Sequence, residues 1–444
     1  MTQFQHVHTS NLSATMTASS VALSIDTPSV VERSGSANAE MVSQAEQEVL
    51  SDFYHKGQFA LVVRMAEHLL VEAPRSIFLL NILGETYARL RQTERAVEYY
   101  SRLVEADPDP SEAALKSQYL PNVHNNLCIA LKELGLLDEA EAHVSEAIRL
   151  KPDLATAYNS YGTLLNDRAD LDGAQKKLLK AIELDPDNHI PYWNLQSTVN
   201  DVDHAKEILE LCLHKAPAFQ DGVLTLAGLR ALSGDPTQYE HLMEAGFDTD
   251  PLMRSVSWML SLPNRPELHF NRWSVFDRAV AWSANDRPFY EFGVWMGDSF
   301  RYLRRSFPKG YGFDTFSGLP EDWRSVPQGS YSSFGRIPRI DGAEFIVGEF
   351  SDTLPKFFAR PRPQAALMNF DADLYSSTLC ALQHARPTID DQTVLIFDEF
   401  IVNSDWEHDE YRALEEFCAE AGVSYKVLAA SLFTKQVVCH LEGL

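Results

Sequence analysis

Phe289-Tyr290-Glu291-Phe292-Gly293-Val294-Trp295-Met296-Gly297-Asp298-Ser299 is the stretch on which the reading of this chain turns. A short aromatic run that ends in glycine reads as a buried strand, followed by a tight turn into a helix. Glycine there permits positive φ and lets backbone pass close to a ligand, and the first N–H groups of the helix beyond it stay free. The same grammar recurs downstream. Tyr311-Gly312-Phe313 ends at Asp314, Phe345-Ile346-Val347 at Gly348, Leu367-Met368-Asn369-Phe370 at Asp371, and Val394-Leu395-Ile396-Phe397 at Asp398. With Tyr425–Leu428 and Gln436–Cys439, this predicts seven strands separated by amphipathic stretches. Such alternation predicts a Rossmann-like, mostly parallel sheet covered on both faces. Sheets of this kind bind ligands outside the carboxyl ends of their strands, where Gly293, Asp314, Asp371 and Asp398 fall.

Two kinds of chemistry meet at that edge. Asp314 follows the second strand, 21 residues after Gly293, where an acid can accept hydrogen bonds from ribose hydroxyls. These residues alone leave an NAD-dependent dehydrogenase open. The wider Gly293–Gly297 spacing departs from the loop that pyrophosphate prefers, and Glu291 suits a ligand with a sulfonium and an amino group. Asp371-Ala372-Asp373 and Asp398-Glu399 close the fourth and fifth strands. Carboxylates that converge there repel one another and raise their own pKa values unless a cation lies among them. Oxygen-only ligands beside a substrate favour Mg²⁺. Two plainer roles compete. Asp373, or else Asp371, caps the next helix with Ser376, Ser377 and Thr378 as local partners. Alternatively, the DxD triplet marks a nucleotide-sugar glycosyltransferase.

Upstream the period changes to 34 residues. Pro74 and Pro108 stand that far apart, as do Pro152 and Pro186, Ala140 and Ala174, and Ala147 and Ala181. Small residues at Gly84, Ala140, Gly162 and Ala174 let two helices approach, and proline closes the second of them. This pattern resembles the tetratricopeptide (TPR) repeat, a helix–turn–helix unit that stacks into an α-solenoid. Repeats are expected over 43–76, 77–110, 121–154 and 155–188, with residues 111–120 as an insertion. A shortened unit runs to 219, because Ala205 and Pro217 each come three residues early. Solenoids of this kind expose a concave face to a protein or peptide partner; His124, Asn125, Asn126 and Asn159 are candidates to line it. A helical bridging segment over 220–264, broken at Ser233-Gly234-Asp235-Pro236, leads to the α/β domain over 265–444. Residues 1–42, rich in Ser, Thr and Ala, are expected to be a disordered tail.

Composition bounds the remaining possibilities. A formal charge of −25 over 444 residues argues against a nucleic-acid partner, which needs a basic face. No apolar run reaches the length of a membrane span, and the N-terminus has no secretory pattern. Five scattered cysteines form no CxxC pair, so reduced thiols and a cytoplasmic location are expected.

With these residues placed, 265–444 resembles the macrocin O-methyltransferase family, class I S-adenosylmethionine-dependent enzymes that methylate sugar hydroxyls. Five blocks carry the resemblance in order: Glu291–Ser299, Gly312–Glu321, Phe350–Pro355, Asp371–Thr378 and Phe397–Phe400. Ala372 and Phe400 replace the Gly and Tyr frequent in the family. The resemblance implies that Glu291, Gly293, Gly297 and Asp314 bind S-adenosylmethionine and that Asp371, Asp398 and Glu399 hold Mg²⁺. Asp371 is then the first candidate for the base that deprotonates the acceptor hydroxyl, ahead of His384 and His408. The expected acceptor is a saccharide or small molecule. A TPR adaptor with a non-catalytic domain is the alternative, beside the glycosyltransferase. Ser330–Gly342 matches no pattern and is expected to face substrate.

Overall fold

The computed structural model describes residues 42–324 and 326–444. The tail expected over 1–42 therefore lies outside the described residues except for Val42. The chain forms two compact units that divide between Pro186 and Asp187.

The first unit is a TPR-type array of four helix pairs: Gln44–His55 with Phe59–Glu72, Ile77–Arg89 with Thr93–Glu105, Ala113–Glu133 with Leu137–Leu150, and Ala155–Asp167 with Leu171–Leu184. Ser43 and Glu46 form a capping box that starts the first helix. The small residues do what the period implied. A Cβ on Gly84 would lie 2.5 Å from the Tyr100 ring, and one on Gly162 would lie 2.6 Å from Leu178. Ala96, Ala140, Ala174 and Ala181 are fully buried. Residues 111–120 are an insertion in helical form: the first helix of the third pair starts at Ala113 and carries Pro121 inside it. In the sequence Pro121 looked like the start of the unit, which hid the extra turns before it.

The second unit opens with the trimmed pair, the seven-residue helix His189–Leu195 and the helix Val202–Lys215. Gln220–Leu232, Thr237–Glu244 and Pro251–Ser261 follow, with the first break at Ser233–Pro236 as expected. Packing divides the chain at 186/187, so the residues expected to form the shortened repeat, up to 219, belong to the second compact unit. Among the described residues no helix is long and apolar enough to cross a membrane.

Eight strands build the sheet: β1 (Glu267–Leu268), β2 (Phe289–Phe292), β3 (Gly310–Asp314), β4 (Ala343–Val347), β5 (Leu367–Phe370), β6 (Val394–Phe397), β7 (Ser424–Ala430) and β8 (Val437–Glu442). Seven match the expected strands. The two-residue β1 was too short to show a period. The order is β1-β7-β8-β6-β5-β2-β3-β4, with β8 antiparallel to both neighbours and every other pair parallel. Chain direction across the sheet reverses between β2 and β5, which makes their carboxyl ends the switch point where such folds bind ligands. Phe313, Phe292, Phe370 and Phe397 lie in register at the carboxyl ends of adjacent strands and stack at 5.1, 5.1 and 4.8 Å. Each stacked pair adds about 0.5–1.5 kcal/mol beyond its burial. The residue after each ring, Asp314, Gly293, Asp371 or Asp398, therefore emerges at one level of the same edge.

Candidate functional site

A cavity of about 240 Å³ opens at that edge. Its carboxylates are Asp314, Glu349, Asp371, Asp373, Asp398 and Glu399, and Arg272 is the basic side chain among its lining residues. Trp295, Leu319, Pro320, Tyr331 and Phe350 add apolar wall.

At the β2–β3 side, backbone geometry is tight. Gly293 has φ of 93°, and a Cβ on it would lie 1.8 Å from the Asp371 carbonyl oxygen, so only glycine fits. Asp314 ties the loop down. Its Oδ2 accepts from the N–H groups of Val294 and Trp295, each at 2.7 Å, and its Oδ1 accepts from Phe316 N–H at 2.6 Å. A carboxylate has about four lone-pair sites, so Asp314 retains acceptor capacity toward the cavity. Gly297, with φ of 81°, packs against Pro338 and is not among the lining residues. Glu291 also departs from expectation. It is fully buried within β2, beside its register partner Asn369, whose Nδ2 donates to Oε1 at 2.9 Å. Burial pushes its pKa up to about 8. It is not among the residues that line the cavity.

The β5–β6 side gathers the acids. Desolvation, and then the Asp398 charge, hold Asp371 well above the usual carboxylate range. Asp373 is pushed up to about 8 by desolvation, with Glu399 and Asp398 adding to it. The capping role is not what the structure shows: the next helix starts at Tyr375 on Leu374, with no side-chain cap bond. Asp373 instead holds a left-handed backbone, φ 59°. Burial raises Asp398 against the opposing pull of Arg272, whose Nη2 lies 2.6 Å from Oδ2. Gln436 Nε2 donates to the other Asp398 oxygen at 2.6 Å. Glu399 Oε2 meets Lys435 Nζ at 2.9 Å and Asn403 Nδ2 at 2.5 Å. Behind them the buried Glu410 accepts from Glu399 N–H at 3.0 Å.

The three carboxylates expected to hold Mg²⁺ line one cavity. Nevertheless, among the described residues no three His, Cys, Asp or Glu side chains stand as a metal-holding group. The reason is local: Asp398 and Glu399 are turned onto Arg272 and Lys435. The donor set still fits a hard cation in kind, being all oxygen, and six carboxylates face Arg272 in the cavity lining. His384 and His408 do not line the cavity. Of Ser330–Gly342, Tyr331 does, 6.4 Å edge-on from Trp295. Arg272, Lys435 and Gln436 went unread as site residues because each lies 36 or more positions from the acid it serves, and Glu410, 11 residues from Glu399, belongs to no motif.

Residues 79–110 match the tetratricopeptide repeat family model. Over 137 residues the chain is 28% identical to the 8-demethyl-8-(2,3-dimethoxy-alpha-L-rhamnosyl)-tetracenomycin-C 4'-O-methyltransferase of Streptomyces olivaceus, a match that covers 30% of this chain and 49% of that protein. The chain thus spans about half the length of this curated relative. Among solved structures it is similar to PilW, a type IV pilus biogenesis factor, at 15% identity and a TM-score of 0.42, over 49% of this chain and all of that one. It is also similar to the calicheamicin methyltransferase CalS11, at 20% identity and a TM-score of 0.31, over 50% of this chain and 93% of that one. The chain combines TPR repeats with an O-methyltransferase-like domain.

Proposed function

We propose that the chain is an S-adenosylmethionine-dependent, Mg²⁺-assisted O-methyltransferase whose acceptor is a hydroxyl of a sugar or secondary metabolite. The observation that carries this reading is the acid-rich cavity at the β2–β5 switch point. Six carboxylates against Arg272 oppose a pyrophosphate or a sugar diphosphate and suit a cationic sulfonium. The relative's printed name, a 4'-O-methyltransferase of a rhamnosyl compound, supports the acceptor class.

The ends of the cavity divide the work. Asp314 and the loop from Gly293 would hold the ribose, with Trp295 and Phe350 offering apolar surface to the base. Asp371, Asp398 and Glu399 would hold the metal, whose chemistry when bound is to acidify and orient an acceptor hydroxyl. Arg272 and Gln436 fix the Asp398 carboxylate from two sides. Asp373 fits the proton-accepting role better than Asp371, because it lines the same cavity and is not one of the three acids that would hold the metal. Leu319, Pro320 and Tyr331 add apolar wall to the same cavity. Fixing donor and acceptor in line supplies about 7–11 kcal/mol in well-oriented systems. The repeats would dock a protein or peptide partner.

Incubation with S-[methyl-³H]adenosylmethionine and a panel of rhamnosides and aromatic glycosides tests the activity. The expected outcome is label on an acceptor hydroxyl, lost in EDTA and restored by Mg²⁺. Label that persists in EDTA removes the metal from the reading, and label on nitrogen or carbon removes the O-methyl assignment.

A further inference from the structure

Two irregular loops deliver the neighbours of Asp398 and Glu399. The first, 431–436, joins β7 to β8 and carries Lys435 and Gln436 onto the two acids. Lys435 has φ of 64°, a left-handed backbone that a non-glycine residue keeps only when its surroundings hold it. The Phe433 ring holds this turn, 5.5 Å from Phe270 and 5.8 Å from Trp193. Trp193 in turn stands edge-on to Phe219 at 5.1 Å.

The second loop, 399–409, begins at Glu399 itself. Val402 has φ of 70°, strained for a β-branched side chain. Its N–H donates to Ser255 Oγ at 2.9 Å. Arg254 donates from Nε to Glu407 Oε1 at 2.7 Å and from Nη2 to the Ser404 carbonyl. Trp258 packs 5.7 Å from Phe400 and 5.9 Å from Trp406.

Both loops are thus gripped by helices that precede the sheet: His189–Leu195 through Trp193, and Pro251–Ser261 through Arg254, Ser255 and Trp258. Neither helix reaches the cavity, whose lining residues begin at Arg272. We infer that the helical segment 187–261 is a brace for the Asp398–Glu399 pair, with Trp193 and Arg254 as positioning residues that act through the 431–436 and 399–409 loops. The trimmed repeat-like pair is on this account a working part of the α/β unit. The inference rests on the reading of the acid end as the reacting end.

Hydrogen–deuterium exchange on the full chain tests it. Trp193→Ala raises amide exchange in 431–436 by at least about tenfold, and Arg254→Gln does the same in 399–409. Exchange in 293–299 and 314–318 stays at the wild-type rate, and Trp193→Phe restores the turn. In the labelled-methyl assay both variants lower kcat with the KM for S-adenosylmethionine unchanged. Unchanged exchange in both loops overturns the brace, as does a uniform rise across 187–444, which is the mark of a merely structural role. Wild-type chain that fails to bind S-adenosylhomocysteine overturns the proposed function instead, and the exchange pattern then decides the brace by itself.

Discussion

Gly293→Ala is expected to abolish cofactor binding and to destabilise the α/β unit by at least about 3 kcal/mol. Two costs add. A φ of 93° is strained for any L side chain, and the new methyl group would lie 1.8 Å from the carbonyl oxygen of Asp371. That neighbour is backbone and has little room to yield: Asp371 N–H donates to Phe292 carbonyl at 2.8 Å, the bond that extends the β2–β5 pairing. Relief therefore requires opening the switch point itself, with the Phe292–Phe370 stack above it. Chemical denaturation gives the stability change, and calorimetry with S-adenosylhomocysteine gives the binding. A variant with wild-type stability would show that the two strand ends are not held as closely as described.

Asp373→Asn is expected to change stability and activity in opposite directions. Asp373 titrates near pH 8 in the fold, against about 3.9 in an unfolded chain. A carboxyl whose folded pKa is raised binds its proton more tightly in the native state. Its contribution is therefore complete below about pH 4 and is lost as pH rises through 8. Glu291, also near 8, adds to the same trend. Wild-type stability should fall from pH 5 to pH 8. The asparagine variant should melt about 2–4 °C higher at pH 8, the equivalent of about 1 kcal/mol for a partly exposed group, and match wild type near pH 4. Methyl transfer should be lost in the same variant. Added Mg²⁺ should reverse part of the alkaline loss in wild type, because a bound cation stabilises the ionised acids. Scanning calorimetry across pH reads the stability changes and the labelled-methyl assay reads the activity; a wild type that gains stability from pH 5 to 8 contradicts an Asp373 carboxyl held up by burial.

The edge of the sheet was legible because its signals are local. A run of buried residues ending in Gly or Asp needs only a few positions to be seen, and Phe292, Phe313, Phe370 and Phe397 each sit one residue before such an end. Repeats were legible for the same reason, with Gly84 and Gly162 marking where helices touch. What escaped was relational. The sequence shows that Asp398 ends a strand, but not that Arg272, 126 residues earlier, reaches back to it. Four residues of β2 are too few to show that Glu291, expected to bind the cofactor, is buried beside Asn369. Asp373 has the position of a cap in the sequence, whereas in the structure it lines the cavity on a left-handed backbone. The 34-residue period continues to Trp193, where its partner is already Phe433 of the α/β unit.

Calorimetric titration of the full chain with S-adenosylhomocysteine, NAD⁺ and a UDP-sugar tests the central claim most directly. Wild-type chain should bind S-adenosylhomocysteine at one site and neither of the others. Asp314→Ala should weaken that binding by about 10–100-fold, the worth of a hydrogen bond to a charged acceptor. Binding of NAD⁺ or the UDP-sugar in place of S-adenosylhomocysteine, or an Asp314→Ala variant with wild-type affinity, would contradict the account.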